Sequence, residues 1–81
     1  MLLRDIQIPK MGMSTSDVDV VSLLVSVGDR VQPTSPIMEI ESEKATFTIE
    51  ADVAGTVSEI LVSVGQVVEV GAVVCRIEAD G

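Results

Sequence analysis

Hydrophobic positions along this 81-residue chain fall into short runs, and nowhere is the spacing of an amphipathic helix sustained. Extended segments are predicted at about residues 5–9, 18–26, 30–32, 37–42, 45–50, 55–63, 67–70 and 73–79. Val27-Gly28-Asp29 and Val64-Gly65-Gln66 supply turn glycines, while Pro33 and Pro36 keep the stretch between them irregular or at an edge. Met38 to Ser42 and Ala45 to Ile49 are two runs around the polar pair Glu43-Lys44, the pattern of a hairpin.

A shift of 37 residues lays the chain on itself. Leu24-Val25-Ser26-Val27-Gly28 falls on Leu61-Val62-Ser63-Val64-Gly65, Val20 on Val57, Val31 on Val68 and Ile40-Glu41 on Ile77-Glu78. Two copies are too few for a solenoid. They predict two halves closing on one another about a pseudo-two-fold axis, as an all-β flattened barrel or sandwich of two small sheets that protects its strand edges. Lys44 maps onto Gly81, so the predicted hairpin and the chain ends are symmetry mates, and Lys44 is expected at one pole with both termini at the other. Matching Ile8-Pro9 to Ile49-Glu50 leaves about four extra residues in the first half, within Lys10 to Asp17. Extra residues of that kind read as a surface loop, where recognition is more common than packing.

Composition narrows the chemistry. Valine and isoleucine fill 22 positions and Phe47 is the only aromatic residue, a strand-forming balance. A chain of this length is expected to form one domain, residues 1–81 with a core over 5–79, whose chemistry lies on its outside. The net charge of -8 and the scattered cations Arg4, Lys10, Arg30, Lys44 and Arg76 disfavour nucleic acid and anionic membranes. There is no histidine, which excludes Ser/His/Asp triads and argues against a metal site. No catalytic residue and no metal ligand is predicted. Cys75 is the single cysteine, forms no internal disulfide and is expected to be a small buried hydrophobe. No apolar run approaches the ~18 residues needed to span a bilayer. The amino terminus lacks the pattern of a signal peptide, and the expectation is a soluble intracellular protein.

Lys44 stands among Glu39, Glu41, Glu43, Glu50 and Asp52. Acidic neighbours favour the charged amine, so Lys44 is a poor nucleophile for substrates. It suits better as the target of an enzyme that removes its proton and acylates it.

The run Ile40-Glu41-Ser42-Glu43-Lys44-Ala45-Thr46 resembles the lipoyl-attachment hairpin of the lipoyl domains of dihydrolipoamide acyltransferases, components of 2-oxo acid dehydrogenase complexes. Ile8-Pro9-Lys10-Met11-Gly12-Met13 is similar to the opening strand of that family, Val27-Gly28-Asp29-Arg30-Val31 to its first glycine turn, and Ala54-Gly55-Thr56-Val57 to its third. The resemblance covers about residues 5–79. It departs at Glu43, where Asp is commoner, at Thr34, where glycine is frequent, at Leu23, where many relatives have Trp, and at Val18, often glycine.

The resemblance implies a flattened barrel of two four-stranded sheets, lipoate in amide linkage to Lys44, and no chemistry performed by the domain itself. It implies recognition by the lipoate ligase or lipoyl transferase through Glu41, Glu43, Ala45, Gly28 and Gly55. The loop Met11, Gly12, Met13, Ser14, Thr15, Ser16 and Asp17 is implied to lie beside the lysine turn and to help the decarboxylase recognise its carrier. The 2-oxo acid decarboxylase, the acyltransferase core and dihydrolipoamide dehydrogenase are the implied partners of a monomeric domain, in a bacterial cytoplasm or a mitochondrial matrix. The opening residues are similar to acyltransferases of pyruvate and acetoin dehydrogenases, and the chain is expected to be an excised domain of a longer protein. Two other readings are kept. A biotin carrier shares the hairpin lysine but flanks it with methionines, where this chain has Glu43 and Ala45. An adaptor of the same fold would leave Lys44 unmodified.

Overall fold

Alternation dictates which face of each strand turns inward. In Asp17-Val18-Asp19-Val20 the valines are buried and the carboxylates exposed, the arrangement that keeps charge in water and hydrocarbon out of it. The computed structural model describes residues 2–9, 17–43 and 45–80. Among them are eight strands: β1 (Leu2–Gln7), β2 (Asp17–Leu23), β3 (Arg30–Val31), β4 (Pro36–Glu41), β5 (Thr46–Glu50), β6 (Gly55–Ile60), β7 (Val67–Glu69) and β8 (Val73–Ala79). They form two four-stranded sheets, the first in the order β1-β8-β6-β3 and the second in the order β5-β4-β2-β7. Every neighbouring pair is antiparallel. Each sheet takes its two central strands from one half of the chain and its two edges from the other, so neither half has a core of its own.

The pseudo-dyad is written in the backbone. Gly28 N–H donates to the Val57 carbonyl at 2.8 Å and Val57 N–H to the Asp29 carbonyl at 2.8 Å. The mates are Gly65 N–H to Val20 at 2.8 Å and Val20 N–H to Gln66 at 2.9 Å. Gly28 and Gly65 hold φ of 96° and 89°, which a residue without Cβ adopts without strain. These bonds extend the β3–β6 ladder of the first sheet and the β2–β7 ladder of the second. The core between the sheets is also paired by the dyad: Val20 with Val57, Val31 with Val68, Ile37 with Val74, Met38 with Cys75 and Ile40 with Ile77, all buried. Consecutive buried residues at Ile37-Met38 and Val74-Cys75 coincide with register shifts against β5 and β1, where a bulge turns one extra side chain inward. Each fully buried valine or isoleucine contributes about 1.5–3 kcal/mol. Cys75 is one of these core hydrocarbon substitutes, and burial pushes its thiol above the ordinary range.

Several boundaries differ from the sequence expectations. β2 and β6 end at Leu23 and Ile60, each three residues before the expected ends at 26 and 63. Leu24 N–H still reaches the Ile37 carbonyl and Leu61 N–H the Val74 carbonyl. Beyond them Ser26 and Ser63 start turns closed by the side chains of Asp29 and Gln66, and apolar composition alone does not reveal that exit. β1 starts at Leu2, not at residue 5, because Leu2 pairs with Ala79 although both Leu2 and Leu3 are exposed. The extra length of the first half is also larger than four residues. Ile8 exchanges backbone bonds with Gly71 and Ala72 as Ala51 does with Thr34 and Ser35, so Ile8 is the mate of Ala51 and not of Ile49. Twelve positions separate Ile8 from Val20 and six separate Ala51 from Val57, an excess of six.

Candidate functional site

The β4–β5 hairpin is anchored from below. Ile40 and Ile49 are buried, and the ladder runs from Pro36↔Glu50 to Glu41↔Thr46. With one face buried, the register is fixed, because a slip of one residue would expose the whole apolar set. Ser42 N–H donates to the Ala45 carbonyl at 2.8 Å and Ser42 Oγ to the same oxygen at 3.2 Å. The hairpin is therefore closed by Ser42 and Ala45. Glu43 and Ala45 are exposed. Lys44 itself lies outside the described residues, as do Met11, Gly12, Met13, Ser14, Thr15 and Ser16.

Asp17, the last residue of the loop singled out in the sequence, opens β2 beside this hairpin. Asp19 is the cross-strand partner of Glu41, and Asp17 of Glu69. Like charges directly opposite one another destabilise a sheet, yet the strands of the second sheet carry Asp17, Asp19, Glu39, Glu41, Glu50 and Glu69 with no arginine or lysine. The arginines all belong to the first sheet, and each is in an ion pair there. Arg4 Nη2 lies 2.5 Å from Asp52, Arg30 Nη2 lies 2.6 Å from Asp80, and Arg76 reaches Asp5 at 3.0 Å and Glu59 at 3.1 Å. Hydrogen bonds from Arg4 and Arg30, helped by their charge, hold the carboxyls of Asp52 and Asp80 below the usual range. Among the described residues the strands of the second sheet therefore carry only negative charge, while those of the first sheet carry both signs. Among the described residues no group of three or more Cys, Asp, Glu or His side chains is placed to hold a metal ion.

The residues singled out for recognition do not all share this surface. Glu41, Glu43 and Ala45 belong to the hairpin, whereas Gly55 opens β6 inside the first sheet, paired with Val31 on one side and Ala79 on the other. A Cβ on Gly55 would run into the Glu78 carbonyl oxygen and lie 2.9 Å from Ile77 Cγ2, so this glycine lets β6 approach β8. Gly28 serves the inter-sheet turn. Conversely, Asp19 and Val67 border the hairpin and were not singled out. Their signal was available in the repeat, where they align with Thr56 and Arg30.

A family model described as "Biotin_lipoyl: Biotin-requiring enzyme" matches residues 4–77. The chain belongs to this biotin/lipoyl family. Within it the chain is a lipoyl domain of the dihydrolipoamide acyltransferase type, as sequence relatives indicate. It is 37% identical over 73 residues to the dihydrolipoyllysine-residue acetyltransferase component of pyruvate dehydrogenase complex from Corynebacterium glutamicum, covering 90% of this chain and 11% of that protein. It superposes with a TM-score of 0.77 and 26% identity on the lipoyl domain of the 2-oxoglutarate dehydrogenase complex from Azotobacter vinelandii, covering 95% of this chain and 98% of that domain. A similar superposition, with a TM-score of 0.78 and 25% identity, is found on Kluyveromyces lactis urea carboxylase, over 95% of this chain and 6% of that one. The fold therefore serves both kinds of protein, and the acyltransferase components among the curated relatives set this chain with the lipoyl domains. The lipoyl domain spans 11 to 19% of the length of the first curated relatives it matches.

Proposed function

We propose that this lipoyl domain carries lipoate in amide linkage on Lys44 and shuttles acyl groups and reducing equivalents within a 2-oxo acid dehydrogenase complex. The observation that supports the proposal is the closure of the hairpin by Ser42 and Ala45 on a ladder with Ile40 and Ile49 buried beneath it, in the sequence Ser42-Glu43-Lys44-Ala45. A hairpin whose register is fixed by a buried face offers one amine to a modifying ligase at a defined place. The amine, once it has lost a proton, attacks the acyl carbon of an activated lipoyl donor held by the ligase; the C–N bond forms as the bond to the donor's leaving group breaks, a second proton is released, and the lysine charge is lost. The dithiolane then supplies the redox and acyl chemistry, and the protein supplies presentation. Tethering makes each transfer intramolecular, at an effective concentration of order mM.

Decarboxylase, acyltransferase core and dihydrolipoamide dehydrogenase are the proposed partners, with lipoate ligase as the modifying enzyme. Asp17 beside the hairpin supports a recognition role for residues 11–17. Glu43 and Ala45, in place of methionines, weigh against biotin. The test is intact mass after coexpression with lipoate ligase and, separately, with biotin ligase, followed by peptide mapping. A lipoyl increment on Lys44 in the first case alone is expected. A biotinyl increment, or no increment in either case, overturns the proposal.

A further inference from the structure

We draw no further inference here: the strongest candidate, the hollow of about 590 Å³ between the edge strands β1 and β5, lined by Arg4, Ile8, Thr48 and Asp52 among others, reaches Pro9 at the border of the described residues, and nothing in the structure shows what covers it.

Discussion

Thr34 and Gly71 occupy the same place in the two halves, and both hold positive φ, 75° and 93°. Each follows the first central residue of a turn, closed by Ser35 N–H to the Gln32 carbonyl in one half and Ala72 N–H to the Glu69 carbonyl in the other. A β-branched residue in this region is an outlier, and the symmetry of the fold forces Thr34 into it. Thr34→Gly is expected to raise stability by about 1 kcal/mol, the relieved strain exceeding the entropy that glycine adds to the unfolded chain. The denaturant midpoint measures it. An unchanged or lowered midpoint would mean that Thr34 is not strained.

Gly55 and Gly28 are glycines for different reasons, and substitution separates them. Gly55→Ala drives a methyl group into the β8 backbone and is expected to cost about 2–3 kcal/mol, as overpacking does. Gly28→Ala meets open space and pays only for its positive φ, about 1 kcal/mol. Urea unfolding of the two variants is expected to rank them in that order; the reverse order would contradict the close approach of β6 to β8.

The pairing of Asp19 with Glu41 is mirrored by Thr56 with Glu78. Asp19→Thr, which makes the halves alike, is expected to stabilise the fold by about 0.2–1 kcal/mol at low salt, with the gain shrinking as salt is added. A loss of stability measured by thermal unfolding would show that Asp19 is held by a favourable contact.

Asp52 and Asp80 have folded-state pKa values depressed below the ordinary value of 3.8. A depressed carboxyl contributes stability that is present above the unfolded pKa and is lost as pH falls through the folded one. The stability difference between wild type and the double variant Asp52→Asn, Asp80→Asn is therefore expected to be constant above about pH 5 and to vanish at pH values well below about 4. Both pairs are exposed, so the difference is small and screened by salt. Denaturant midpoints across pH read it, and a difference that grows on acidification would contradict the ion pairs.

The duplication made the strand count, the two turn glycines and the hairpin legible before any coordinates, because identical residues at a fixed spacing impose identical backbone. It misplaced the match of Ile8, since Ile8-Pro9 and Ile49-Glu50 look alike as hydrophobic pattern while the dyad is set by which carbonyl accepts from Gly71 and Thr34. The confinement of arginine to one sheet was not legible. Arg4–Asp52 and Arg30–Asp80 join residues 48 and 50 positions apart, and only strand order brings them together. The row Val67, Asp19 and Glu41 lies between these cases, because the aligned halves name its residues but only the register shows that they meet.

The central claim is that an arm on Lys44 accepts acyl groups. The direct measurement is reductive acylation of the lipoylated chain by purified 2-oxo acid decarboxylase components supplied with radiolabelled pyruvate, branched-chain 2-oxo acids or 2-oxoglutarate. Label is expected on the wild-type chain with at least one component, and none on Lys44→Arg, which folds with an unchanged denaturant midpoint but cannot be acylated. A lipoylated wild-type chain that none of these components labels, or label retained by Lys44→Arg, would contradict the account.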